Sequence, residues 1–130
     1  MAKTAIVTGA LKGLGKQIAL ELSKDGYDIV INYRTENDSL NEMIEEIGIS
    51  SKAYAFKADI SKFDEAKALI DFAMEQTGRI DLLVNNAGIT NDKLIVRMSE
   101  DDFNKVIDIN LKGTFNCIRH ANKVMMKQKF

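Results

Sequence analysis

Thr8-Gly9-Ala10-Leu11-Lys12-Gly13-Leu14-Gly15 lies between an apolar run, Ala5-Ile6-Val7, and a segment whose apolar residues Ile18, Ala19 and Leu22 return every three or four positions. The run before it suits a strand buried on both faces, and the 3.6 period after it suits a helix with one inward face. The octet therefore reads as a strand-to-helix turn. Its glycines, ordered G-x-x-x-G-x-G, permit a tight exit from the strand and let backbone approach a bound group where a Cβ would block it. The helix that follows presents unpaired N–H groups and a positive dipole end, which suit phosphate. Turn chemistry alone accounts for glycines at this density. The flanking buried strand and amphipathic helix are the context of a dinucleotide-binding turn. On that reading Gly9, Leu11, Lys12, Gly13, Leu14 and Gly15 are the cofactor-contact candidates.

Outward from the turn the same alternation continues. Strands are expected at Lys3–Thr8, Asp28–Tyr33, Lys52–Ala58 and Ile80–Asn85. The first helix runs from about Leu14 to Asp25 and stops at Gly26. The second starts at Asp38 or Ser39, buries Leu40, Met43, Ile44 and Ile47, and stops at Gly48. The third starts from a capping-box-like Ser61 and Asp64 and runs to Thr77 before Gly78. The last is long, capped by Ser99 with acidic Glu100, Asp101 and Asp102 in its first turn. It extends to Gln128 with a bend expected at Gly113. Strand alternating with helix is the pattern of βαβ units, so the fold class is α/β, a doubly wound parallel sheet of the Rossmann type. The strand order expected is 3-2-1-4, and residues 1–130 read as one dinucleotide-binding domain that stops after the fourth strand and its long helix.

The 130 residues carry a net charge of −1, which offers no basic footprint for nucleic acid or an anionic membrane. No apolar run approaches the ~18 residues of a membrane span, and the N-terminus lacks a signal-peptide stretch. Cys117 is the lone cysteine and has no partner for an intramolecular disulfide. These features fit a reducing, cytoplasmic setting. No metal-ligating set is expected.

The choice of nicotinamide cofactor turns on the end of the second strand, Asn32-Tyr33-Arg34-Thr35. An acidic residue there would hold a ribose 2′-OH, whereas an arginine suits a 2′-phosphate through bidentate charge-assisted bonds. Arg34, with Lys12 adding charge from the glycine turn, favours NADPH. Both cations also read as solvated surface residues, and Glu36 stands as an alternative ribose acceptor. Asp59, followed by Ile60, closes the third strand at the edge where ligands of open α/β sheets bind. It suits an adenine amino group or, more plainly, the cap of the turn before Ser61. Asn85-Asn86-Ala87-Gly88 closes the fourth strand at the same edge, where amides tie strand ends together and small residues leave room for a ribose. His120 reads as a packing or surface residue and Cys117 as a small core residue.

These residues, in this order and together with Asn110, resemble the short-chain dehydrogenase/reductase family over essentially the whole chain. Within it, Ala87-Gly88-Ile89-Thr90-Asn91-Asp92, Met98 and Ile107-Asp108-Ile109-Asn110-Leu111-Lys112-Gly113 are most similar to the 3-oxoacyl-acyl-carrier-protein reductases of fatty acid synthesis. Acetoacetyl-CoA reductases look alike in this half. The resemblance implies hydride transfer from NADPH to the β-keto group of an acyl thioester. It also implies cofactor contacts at Asn86, Ala87 and Gly88 and a proton-relay role for Asn110. The family's serine and Tyr-x-x-x-Lys pair have no counterpart here: Tyr27, Tyr33 and Tyr54 all lie upstream, and none has a lysine four residues on.

The chain thus reads as the cofactor-binding N-terminal half of such an enzyme, a truncated product or partial chain, inactive alone. The resemblance further implies homo-oligomers through the Ser99–Gln128 helix, whose apolar positions exceed one narrow face. It also implies docking of an acidic acyl carrier protein near Lys127 and Lys129. A non-catalytic dinucleotide-binding or assembly module is the alternative of a different class. A nucleotide-sugar epimerase or reductase of the extended type needs a far longer chain.

Overall fold

The computed structural model describes residues 2–89 and 92–128. Thr90, Asn91 and Lys129, singled out above, lie outside the described residues. The strands are β1 (Thr4–Val7), β2 (Asp28–Tyr33), β3 (Ala53–Lys57) and β4 (Leu82–Val84). The α-helices are α1 (Gly13–Lys24), α2 (Ser39–Ile47), α3 (Phe63–Thr77), α4 (Glu100–Ile107) and α5 (Gly113–Gln128), with a short 3-10 turn at Ile95–Arg97. All strand pairs are parallel, in the order β3-β2-β1-β4. This is the expected Rossmann-like sheet, and the predicted bounds of β2 coincide with those observed.

Central position explains the composition of β1 and β2. Thr4–Val7 is fully buried, as are Ile29, Val30 and Ile31, because helices cover both faces. One layer joins Ala5, Val7, Ile29 and Ile31 to α1 and α2 through Ala19, Leu20, Leu40 and Met43. The other joins Ile6 and Val30 to α3 and α5 through Leu69, Ile70, Cys117 and Ala121. Ile44, expected inward, is exposed on α2; Leu40, Met43 and Ile47 fill the inward face of this short helix without it. Burial pushes the Cys117 thiol up to about 12, so it is a small core residue as expected.

Two local expectations are corrected. Ser61 does not cap α3, which begins at Phe63 after Lys62 with no side-chain cap. Asp59 engages Ser61 instead: its Oδ1 accepts from the Ser61 N–H at 3.0 Å and from its hydroxyl at 2.6 Å. The Asp59 turn takes up the Ser61 N–H and hydroxyl proton, and with Lys62 at the N-cap Ser61 stands one position too early to accept from the first-turn amides. The capping box lies at α4, where Ser99 Oγ accepts from the Asp102 N–H and Asp102 accepts from the Ser99 N–H, both at 3.0 Å. Second, the last helix is not one α-helix bent at Gly113. A π-helical turn, Asp108–Lys112, separates α4 from α5.

At the far end of the sheet, Arg79 forks onto Asp81, which also accepts from the Thr4 N–H at 2.8 Å. The Arg79 hydrogen bonds hold the Asp81 carboxyl below its ordinary value, outweighing partial burial. A carboxylate depressed in the folded state contributes stability that is present above the unfolded pKa near 4 and lost as pH falls through the folded value. Urea midpoints are therefore expected to drop on acidification below about pH 4, and Asp81→Asn to flatten part of that drop. A variant whose acid profile overlays the parent would contradict this.

Candidate functional site

The carboxyl ends of the strands enclose a cleft of about 640 Å³. Its size is that of a small-molecule or cofactor site. From β1 the chain leaves through Gly9, which adopts φ +61°, a region costly for any residue with a Cβ. A Cβ there would also sit 2.9 Å from Ala87 Cα, so the β1 turn and the β4 loop pass in direct backbone contact. Gly15, buried at the start of α1, has the Asn86 amide and the Gly9 carbonyl where a Cβ would be. Gly13, at φ +57°, faces open space along the cleft.

Thr8 organises this crossing. Its buried hydroxyl donates to the Val84 carbonyl at 3.3 Å and accepts from the N–H groups of Asn86 and Ala87 at 3.0 and 2.9 Å. Asn86 returns the connection, its Nδ2 donating to the carbonyls of Thr8 and Gly9 at 3.3 and 3.1 Å. The expected tie between strand ends is therefore real, and Asn86 makes it, while Asn85 is exposed.

The helix that faces the cleft differs from its neighbours in charge. The first turn of α1 carries no acidic residue, whereas α3 has Asp64 and Glu65 there and α4 has three carboxylates. The positive end of the α1 dipole is left for a ligand, and the lining suits a polyanion. Lys12 and Arg34, both exposed, flank the same cleft, and Glu36 joins them. Gly9, Leu11, Lys12, Gly13, Arg34, Asp59, Ile60, Asn86, Ala87 and Gly88 all line it. Leu14, Gly15 and Asn110 do not: Leu14 points to solvent, and Gly15 lies behind the turn as packing space. Asp59 lines the cleft while also making the turn to Ser61, so its two readings coexist in one residue.

This arrangement of a glycine turn crossing a second strand's loop over a positive helix end agrees with the match of the whole described chain to a family model. Residues 3–130 match the model for short chain dehydrogenases. The chain belongs to that family. Among curated relatives it is 44% identical over 130 residues to a 3-oxoacyl-(acyl-carrier-protein) reductase of Staphylococcus epidermidis, covering 99% of this chain and 53% of that protein. A reductase of the same name from Synechocystis is 42% identical over 129 residues, covering 98% and 52%. The solved structure of a short chain dehydrogenase from Mycobacterium avium superposes with a TM-score of 0.90 at 33% identity, over 98% of this chain and 49% of that one. The chain thus spans about half the length of the relatives it matches. Membership in this oxidoreductase family implies a nicotinamide dinucleotide, and the glycine cradle and uncompensated α1 terminus fit one.

Asn110 sits on the π-helical turn, where its Oδ1 accepts from the Ile89 N–H at 2.8 Å and its Nδ2 donates to the Ile89 carbonyl at 2.9 Å. One extra residue per turn marks functional positions in other helices, and here it turns an amide onto the loop after β4. That loop carries Ala87, Gly88 and Ile89 into the cleft. Two buried amides carry no motif in the sequence. Asn32 bonds across three strand ends, and Asn116, 1% exposed, donates to the Ile60 carbonyl at 2.9 Å. The only signal was a polar residue inside an apolar stretch. His120 is buried, with Nε2 3.1 Å from the Phe63 carbonyl and its ring against Phe63, a packing role as expected. Gln128 pins the end of α5 by bonding the Ile80 N–H and carbonyl at 2.7 and 2.6 Å.

Among the described residues no helix is long and apolar enough to cross a membrane, and no group of three or more candidate ligands is placed to hold a metal ion. Phe103, Leu111, Phe115 and Ile118 are exposed along α4, the π-helical turn and α5.

Proposed function

We propose that this chain is the NADPH-binding part of a reductase acting on 3-oxoacyl thioesters, carried by acyl carrier protein or CoA. The observation that carries the reading is the pair of cations, Lys12 and Arg34, flanking one cleft with the glycine turn and the α1 terminus. When bound, the dinucleotide supplies the hydride. The chain's own part is to hold it. The N–H groups at the start of α1 and the glycine turn receive the pyrophosphate, and Asp59 and Ile60 border the adenosine. Ala87 and Gly88 leave space for a ribose, and Arg34 and Lys12 take the 2′-phosphate. Asn110 fixes the Ile89 end of this wall and is the one residue here matched to the family's proton relay.

Two supporting proposals concern partners. The exposed Phe103, Leu111, Phe115 and Ile118 favour association with another copy, an apolar patch being stabilised by burial. Lys127, exposed near the end of α5, contributes to a surface for an acidic carrier, with Lys129 beyond it.

The test is cofactor selectivity. NADPH is expected to bind at least about tenfold more tightly than NADH, and Arg34→Ala to erase most of that ratio, since a charge-assisted bidentate contact is worth roughly 1.5–3 kcal/mol. Equal affinity for NADH in the parent would point to Glu36 on the ribose and overturn the NADPH reading. With acetoacetyl-CoA, the chain alone is expected to oxidise NADPH no faster than background, because it contains no Tyr-x-x-x-Lys.

A further inference from the structure

Asn32 stands where β2 would ordinarily continue with another apolar side chain. Ile29, Val30 and Ile31 precede it, and it is only 2% exposed. A buried amide is costly unless its donors and acceptor are matched. Here they are matched by two chain segments at once, one on each side of β2. Its Oδ1 accepts from the Gly9 N–H at 3.4 Å, and its Nδ2 donates to the Ala58 carbonyl at 3.2 Å and the Phe56 carbonyl at 3.5 Å. Its backbone carbonyl takes the Ala10 N–H at 3.0 Å. One residue of β2 therefore fastens the exit of β1 on one side and the exit of β3 on the other.

Those two exits carry opposite walls of the cleft. Gly9 opens the glycine turn, and Ala58 is followed by Asp59; all of them, with Asn32 beneath, line the same space. We propose that Asn32 is a positioning residue of the dinucleotide site, setting the spacing between the glycine turn and the Ala58–Asp59 wall. This rests on the reading of the cleft given above. The side-chain chemistry is specific to an amide. Leucine fills the volume but leaves the Gly9 N–H unpaired. Threonine is too short to reach both neighbours. Aspartate accepts from Gly9 but sets a carboxylate against two carbonyl oxygens.

Asn32→Ala tests the proposal through two readouts on the folded chain. Amide hydrogen exchange at Gly9 is expected to accelerate at least about tenfold more than at Ile6 in the core of β1, because a local bond is lost beyond any global loss of stability. The Kd for NADPH, followed by calorimetry, is expected to rise about tenfold, as suits one misplaced wall. Gly9 exchange that merely tracks Ile6, or an unchanged Kd in a variant of a binding parent, overturns the positioning role. A parent that binds no NADPH overturns the dinucleotide reading and the positioning role together, leaving Gly9 exchange to report whether the strand ends are fastened at all. Should Asn32→Ala not fold, Asn32→Thr keeps a strand-favouring side chain and is read by the same two criteria.

Discussion

Replacing Gly15 by alanine is expected to weaken dinucleotide binding at least about 30-fold and to destabilise the chain, although alanine is the better helix former by about 1 kcal/mol. The added Cβ collides with the Asn86 amide and with the Gly9 carbonyl. The carbonyl is backbone and cannot swing aside. Relief requires either that Asn86 abandon its bonds to the Thr8 and Gly9 carbonyls or that the start of α1 tilt away from the turn. Overpacking costs roughly 1–3 kcal/mol and a broken buried bond about as much again, so the clash outweighs the propensity gain by about 2–3 kcal/mol. Either movement also displaces N–H groups at the helix start from the phosphate position. A loss of affinity of at least about 30-fold, or ~2 kcal/mol, is expected from calorimetry with NADPH. A Gly15→Ala chain that melts above the parent and binds equally would show that the turn and α1 are not packed as described.

Thr8→Val has the second large effect, through unmade hydrogen bonds rather than volume. Valine fits the space and favours strands, so shape alone predicts little change. The hydroxyl it removes accepts from two N–H groups of the β4 loop and donates to Val84, at a site with no exposure. The Ala87 N–H is left without a partner, which costs roughly 1–3 kcal/mol, while the Asn86 N–H keeps only the Val84 carbonyl at 3.1 Å. The expected loss is about 2 kcal/mol, or about 7 °C in melting temperature for a chain of this size, with weaker NADPH binding because Ala87 and Gly88 shift. Thr8→Ser, which keeps the hydroxyl, should recover most of both. If Thr8→Val melts within about 2 °C of the parent, the hydroxyl is not the organiser of this crossing.

Much of the fold was legible because it is written in periodicity. Ala5-Ile6-Val7 and Ile29-Val30-Ile31 announce central parallel strands, and Gly26 and Gly78 mark helix ends that the structure confirms with positive φ. The strand order is that of a doubly wound sheet, which reverses after β3 so that helices cover both faces. The cleft was legible for a different reason: the turn, Asp59 and Asn86–Gly88 all fall at carboxyl strand ends, and that one edge gathers them.

What stayed hidden depends on partners distant in sequence. Asn32 reaches Gly9 and Ala58 over more than 20 residues, Asn116 reaches Ile60 over 56, and Thr8 reaches Asn86 over 78. Periodicity reports which face a residue occupies, not which strand end it will meet. The π-helical turn was invisible because its five residues, Asp108–Lys112, are too few to leave a period of their own in the sequence. Ser61 misled because Asp59 draws it into a turn, so that α3 begins only at Phe63, after Lys62.

Backbone amide shifts during an NADPH titration test most directly whether the cleft at the carboxyl ends of the strands is the nucleotide site. Saturable shifts are expected to cluster at Gly9–Gly15, Arg34, Asp59–Ile60 and Asn86–Gly88. No saturable shift at millimolar NADPH, or shifts gathered at the opposite end of the sheet around Gly48–Lys52, would contradict it.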